Sequence, residues 1–330
     1  MVGQVVVITG ASAGVGRAAV RAFAARGASI GLLARGIDGL EGARREVEQA
    51  GGRALVVPVD VSDAEAVEAA AAQVEQELGP IDIWVNNAMS TVFAPIHETT
   101  AEEFRRVTEV TYLGVVHGTL SALRRMRPRN RGIIVQVGSA LAYRSIPLQA
   151  AYCASKHAIK GFTESLRVEL KHDRIDIHVT EVHLPAINTP QFGWSRARMP
   201  RRPQPVPPIY QPEVAADAIL LAVTDRRREV WAAWPVAEAI LGERLAPAVA
   251  DWYLARNGYE SQQTEEPIEA NRRDDLDAPV PGDHGAHGTF DDRAKRSSLW
   301  LTASKHRGAL LVSALGVAAA AVFQRARSRA

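Results

Sequence analysis

The chain predicts a doubly wound α/β fold, a parallel sheet with helices on both faces, and three observations carry the prediction. Short apolar runs alternate with longer helical patterns through the first 235 residues. Those runs are continuous rather than alternating, as expected of strands covered on both faces. The first of them leads directly into a glycine-rich turn and a helix, Thr9-Gly10-Ala11-Ser12-Ala13-Gly14-Val15-Gly16. A parallel neighbour needs a crossover long enough to hold a helix, so this alternation implies a parallel sheet.

Taken in order, Val5–Thr9 reads as the first strand and 15–26 as a helix ended by Gly27. Ser29–Ala34 is the second strand, 38–50 a helix, 54–59 the third strand, and 63–78 a helix rich in Ala and Glu. Ile81–Asn86, 132–138 and 177–183 follow as strands, separated by helices over 101–126 and 150–171. The last strand candidate is 228–233. A single α/β domain is therefore assigned to 1–235 and a helical extension to 236–258, with a break expected at Pro247. Residues 259–298 lack apolar periodicity and are rich in Asp, Glu, Gly and Pro, which predicts an extended or disordered linker. The final stretch, 299–330, reads as an apolar helix with basic flanks.

Composition narrows the function. With 39 Lys and Arg against 37 Asp and Glu the formal charge is +2, which supplies no global field for nucleic acid. Apolar residues at 47% suffice for a large core and exclude wholesale disorder. The single cysteine, Cys153, rules out an intramolecular disulfide and a Cys-rich zinc site. No basic n-region or cleavage pattern precedes Val5, so a cytoplasmic protein is expected. Charge is uneven along the chain: 259–298 holds ten acids against five Lys or Arg, whereas 299–330 holds five Lys or Arg and no acid.

Glycines 10, 14 and 16 let the backbone turn tightly and approach a pyrophosphate seated on a helix N-terminus. An ordinary strand–helix turn also uses glycines, but the strand–turn–helix setting favours a dinucleotide. Asp60, followed by Val61, ends the third strand and is placed to bind an adenine amino group or to cap a helix. The second strand ends Ala34-Arg35-Gly36. An acid at Ala34 would take a free ribose 2′-hydroxyl; Arg35 instead offers a cation to a 2′-phosphate, with Arg17 a second. NADP(H) is favoured over NAD(H).

The strand at 132–138 delivers Ser139, and Tyr152-Cys153-Ala154-Ser155-Lys156 follows thirteen residues later. Tyr152 and Lys156, four apart on a helix, share one face. A phenol of pKa about 10 is a poor acid–base group at neutral pH. A neighbouring ammonium favours the phenolate and moves it toward the working range. Such a pair alone is a common exposed helix pair; with Ser139 and the glycine turn it suits hydride transfer between an alcohol or carbonyl and a nicotinamide.

These motifs, together with Asn86-Asn87-Ala88 and 185–189, resemble the short-chain dehydrogenase/reductase family in its compact, single-domain branch, in family order over about residues 1–235. The resemblance implies a Rossmann-type, seven-stranded parallel sheet that binds NAD(P) and oxidises alcohols or reduces carbonyls. It implies Tyr152 as acid–base group, Ser139 orienting the carbonyl, and Lys156 binding ribose and tuning Tyr152. It places the cofactor on Gly10, Ser12, Ala13, Gly14, Val15, Gly16, Arg35, Asp60, Val61, Asn87, Pro185 and Thr189. It also implies a dimer or tetramer.

Three positions depart from the family. Met89 stands where the family has Gly, and Ala186 replaces the Gly after Pro185. Thr111 occupies the place of a catalytic Asn that holds a water relay, and its hydroxyl is expected to serve instead. Thr111 also keeps open a second reading, a nucleotide-binding scaffold or redox sensor without turnover.

The segment 190–212 takes the family's lid position. Its Arg196, Arg198, Arg201 and Arg202 either offer cations to an anionic substrate or face water. His183 reads as a hydrogen-bonded scaffold residue, and His284 and His287 as solvated linker rather than metal ligands. The run 308–323 is apolar except for Ser313 and flanked by basic residues. As a helix it covers about 24 Å, short of a bilayer core of roughly 30 Å. It is expected to lie on the cytoplasmic membrane face, the alternative being packing on the body or a partner subunit.

Overall fold

The computed structural model describes residues 1–269 and 272–307. Its seven parallel strands are β1 (Val5–Thr9), β2 (Ser29–Ala34), β3 (Ala54–Pro58), β4 (Ile81–Asn86), β5 (Gly132–Ser139), β6 (Ile177–Leu184) and β7 (Glu229–Trp231), in the order β7-β6-β5-β4-β1-β2-β3. Helices α1 (Gly14–Ala24), α2 (Ile37–Gln49), α3 (Ala64–Leu78), α4 (Ala101–Thr108), α5 (Gly114–Met126), α6 (Ala150–His172) and α7 (Pro212–Thr224) cover both faces. This is a Rossmann-type doubly wound sheet.

β1 shows why. Its alternate side chains point to opposite faces. Val6 and Ile8 join Phe23, Leu32, Leu40 and Ile219 in one core, while Val5 and Val7 join Ile81, Trp84, Met126 and Leu170 in the other. Every residue of the strand is buried. Each such aliphatic side chain contributes about 1.5–3 kcal/mol on leaving water, so a strand apolar throughout is stable only at the sheet's centre. From β1 the chain winds outward through β2 and β3, then crosses to β4 on the other side. That reversal opens a crevice at the C-terminal ends of β1 and β4.

The stretch expected as one helix over 101–126 is two, α4 and α5, joined by a π-turn at Glu109–Leu113 that contains Thr111. A capping box fixes the start of α4, with Thr100 Oγ1 accepting from Glu103 N at 3.2 Å and Glu103 returning the bond to Thr100 N. Beyond β7, α8 (Trp234–Leu245) and α9 (Pro247–Asn257) are separated at Ala246, since Pro247 cannot continue the preceding helix.

The segment 259–298, expected to be extended or disordered, is packed against the body in its described residues, part of it as an extended strand. Gln263–Pro267 pairs antiparallel with Arg201–Pro203 of the lid. Lys295 N donates to Ile209 O at 2.8 Å, and Phe290 N to Asn188 Oδ1 at 3.1 Å. Hydrogen bonds to the body satisfy this backbone and ion pairs hold its side chains, and neither leaves a hydrophobic period to read. A short helix, α10 (Leu299–Lys305), follows; Trp300 stacks on Trp231 with ring centroids 6.3 Å apart. Among the described residues no helix is long and apolar enough to cross a membrane. The run 308–323 lies outside the described residues.

Candidate active site

A cavity of about 420 Å3 occupies the crevice. The β1–α1 turn forms its floor. Gly10 and Gly14 have φ of +67° and +58°, left-handed values that favour glycine. A Cβ on Gly16 would lie 2.0 Å from Gly10 O, and one on Gly10 would lie 2.9 Å from both Ala88 Cα and Asn87 Nδ2. Ala13, at the N-cap, supplies no side-chain cap to α1. The first amides of the helix therefore remain as donors, of which Gly14 N is taken by Gly285 O at 3.0 Å. A cradle that admits no Cβ, ending in helix-terminal amides, fits a dinucleotide pyrophosphate. Ser12, Ala13 and Val15 line the same space.

Asn87 braces the turn from β4. Its Nδ2 donates to Thr9 O at 2.9 Å, and its own N–H donates to Thr9 Oγ1 at 2.9 Å. Val61, Pro185 and Thr189 complete the wall, together with Met89, which occupies space that a glycine would leave open.

At the end near β2 and β3, Arg35 lines the cavity, but its guanidinium donates to Leu276 O at 3.2 Å and to Asp275 O. Burial lowers its pKa. Asp60 accepts from Ser62 N and Oγ and pairs with Arg106. Burial raises its pKa, but Arg106 and the two bonds from Ser62 together hold the carboxyl below the usual range. The N-cap of α3 is Asp63 rather than Asp60 or Ser62. Arg17 is not a phosphate ligand. It is 2% exposed and bound to Glu46 Oε2 at 2.8 Å and Asp283 Oδ1 at 2.9 Å, because its helix face turns toward α2.

At the other end, α6 presents Tyr152 and Lys156 to the cavity, and the C-terminus of β5 presents Ser139. Lys156 is buried, donates to Val137 O at 2.7 Å, and has its ammonium 5.5 Å from the Tyr152 ring centroid. Burial holds its pKa down at about 8. Burial also pushes the Tyr152 phenol up, opposed by the Ser139 hydroxyl. Burial of both groups works against the expected acidification of the phenol, and the ammonium is turned to a backbone carbonyl. Ser139 Oγ accepts from Leu141 N at 3.1 Å, which fixes its rotamer.

Thr111, expected to offer its hydroxyl to the site, is not among the residues that line the cavity. It is fully buried; its hydroxyl donates to Ser90 O at 2.9 Å and accepts from Ser90 N at 3.0 Å. That bonding fastens the π-turn to the loop after β4 and commits the hydroxyl to the backbone. His183 lies behind Ser139, its Nδ1 3.3 Å from Ser139 O and its ring edge-on to Tyr143. Burial lowers its pKa, so the ring is a neutral brace.

The lid arginines face acids of this chain. Arg196 pairs with Asp274 at 2.9 Å and Asp277 at 2.7 Å, and Arg198 binds Glu103. Arg201 meets Glu260, and Arg202 meets Glu266 and Glu269. Sequence reasoning missed Asp275, Pro279, Val280, Gly282 and His284, which also line the cavity. The signal was present in the opposed charges of 190–212 and 259–298, read separately. His284 stands edge-on to Trp194 at 4.7 Å, and His287 lies between Glu213 and Asp291. No metal-binding group of three or more His, Cys, Asp or Glu occurs among the described residues.

A sheet of this order, with a glycine cradle at its reversal and a Ser, Tyr and Lys on one cavity wall, defines a nucleotide-dependent oxidoreductase. The chain belongs to the short-chain dehydrogenase/reductase family: the short chain dehydrogenase profile matches residues 4–199. It is 33% identical over 267 residues to an uncharacterized oxidoreductase of Bacillus subtilis, covering 80% of this chain and 75% of the relative. It is 32% identical over 231 residues to a fatty acyl-CoA reductase of Acinetobacter baylyi, covering 69% and 75%. Among solved structures, an alcohol dehydrogenase from Thermococcus sibiricus complexed with 5-hydroxy-NADP superposes with a TM-score of 0.61 at 30% identity, covering 69% and 95%.

Proposed function

We propose that the chain is an NADP(H)-dependent oxidoreductase that interconverts a secondary alcohol and a ketone, with Tyr152 as the acid–base group. The carrying observation is that Ser139, Tyr152 and Lys156 line the same cavity as Gly10, Gly14 and Val15 of the glycine turn. The bound nicotinamide supplies or accepts the hydride. Val15 and Gly16, at the start of α1, would hold the pyrophosphate, and Thr189 the region nearer the nicotinamide. Ala34 carries no acid to repel a 2′-phosphate, and Arg35 reaches the cavity, which supports NADP(H).

In the reducing direction Ser139 donates a hydrogen bond to the carbonyl oxygen. Tyr152 then passes its phenolic proton to that oxygen as the carbon gains the hydride. The raised phenol is suited to hold its proton until negative charge develops on the substrate. Lys156 stabilises the phenolate left behind, and the low dielectric around both groups strengthens that attraction. The test is nicotinamide oxidation against a broad carbonyl panel with wild type and Tyr152→Phe. Equal rates in both proteins refute the assignment.

Outward-facing Leu120 on α5 and Val168 on α6, 45% and 68% exposed, support a homo-oligomer formed through these helices. Attachment to the cytoplasmic membrane face rests on 308–323.

A further inference from the structure

The segment 272–285 lies beyond the family match and is tied across the cavity. Asp275, Pro279, Val280, Gly282 and His284 form part of the wall. It is fastened at three places. Asp283 binds Arg17 at 2.9 Å; burial raises its pKa, but Arg17 and the Gly285 N–H together hold it below the usual range. Gly282 N donates to Asp38 Oδ2 at 2.8 Å, and Gly285 O takes Gly14 N at 3.0 Å. Asp274 and Asp277 clasp Arg196 of the lid. Between these fastenings the carbonyls of Asp275 and Leu276 hold Arg35, and Leu276 O also accepts Arg106 Nε at 3.1 Å, the arginine that pairs with Asp60. One strap therefore touches the helix start, the lid, and the two groups at the β2–β3 end.

We propose that residues 272–285 are the outer wall of the dinucleotide site, enclosing the bound cofactor, orienting Arg35, and setting how slowly the dinucleotide leaves. The proposal rests on the cofactor reading above. The strap lines a cavity rather than filling it, which is the geometry of a cover. Its clasp to the lid is made of partly exposed ion pairs, so opening requires their rupture and is eased by salt.

The experiment is stopped-flow displacement of NADPH, and separately NADH, from the full chain, followed by nicotinamide fluorescence. Wild type is compared with Asp283→Ala and with the double variant Asp274→Asn, Asp277→Asn. Release at least tenfold faster from Asp283→Ala, and at least threefold faster from the double variant, is the expected result. Wild-type release is expected to quicken with sodium chloride, and the double variant to have lost most of that dependence. Release within twofold of wild type in both variants overturns the proposal. So does faster association with unchanged release, which would make the strap an obstruction. If Asp283→Ala does not fold, the double variant decides, because its changes lie on partly exposed side chains. A wild type that binds neither dinucleotide defeats the cofactor reading itself, and the strap proposal with it.

Discussion

Arg17 on α1 and Asp283, 266 residues later, form an ion pair at 2.9 Å in which the arginine is 2% exposed. The same guanidinium binds Glu46 on α2 and the carbonyls of Ser12 and Gly39. Glu46 is held at about 2 by Arg21 and Arg17 despite its burial. Replacing Arg17 with Met leaves Asp283 with the Gly285 N–H at 3.2 Å and Arg45 at 3.8 Å, and strips the glycine turn of a brace. The expected loss is about 3 kcal/mol, the low end for breaking a buried pair, because both acids keep some solvent. Urea unfolding of Arg17→Met measures it.

Lys156→Met separates catalysis from stability. The variant is expected to lose turnover, yet to unfold at a higher temperature than wild type at pH 7. A lysine whose pKa falls from 10.5 unfolded to about 8 folded penalises the fold fully below pH 8. That penalty fades as pH rises from 8 to 10.5, where the unfolded chain binds the extra proton. The gain is about 1–3 kcal/mol at neutral pH, reduced by loss of the bond to Val137 O, and should vanish near pH 10.5. Calorimetry at the two pH values checks the sign.

Arg35→Ala addresses cofactor choice. Removing the one cation that both lines the cavity and follows Ala34 should weaken NADPH binding about tenfold or more, with NADH affected much less. Titration of nicotinamide fluorescence gives both constants.

Gly16→Ala introduces a Cβ 2.0 Å from Gly10 O, a contact with backbone that no rotamer relieves. The turn must move, costing about 1–3 kcal/mol or more, and the cradle should lose dinucleotide binding. Thermal melts and the same fluorescence titration report both effects. Gly161→Ala is the control, since nothing lies within 4 Å of a Cβ there.

The sheet was legible because short apolar runs, continuous in the strands nearest its centre, alternate with helical patterns and can be buried on two faces only in a parallel layer. The cradle and the Tyr152–Lys156 pair were legible because each depends on local spacing: glycines in one turn, two side chains one helical turn apart. What escaped depends on distant partners. Arg17 and Arg35 stand beside the cradle as free cations in the sequence, and only folding shows that Asp283 and the carbonyls of Asp275 and Leu276 occupy them. Thr111 was recognisable as a departure, but its engagement with Ser90 depends on a π-turn that periodicity does not reveal. The acidic stretch was misread because a segment secured by arginines and backbone carbonyls has the composition of a solvated one.

The pairing of Arg196 with Asp274 and Asp277, and of Arg201 and Arg202 with acids between 260 and 269, also bears on engineering. Exchanging 190–212 for the corresponding loop of another member is one conceivable way to alter substrate range. In this chain that loop has its counter-charges in a region well downstream, so a graft of 190–212 alone would strand acids on one side and foreign side chains on the other. The transplantable module is the two pieces together, and a donor without the downstream piece is the wrong donor.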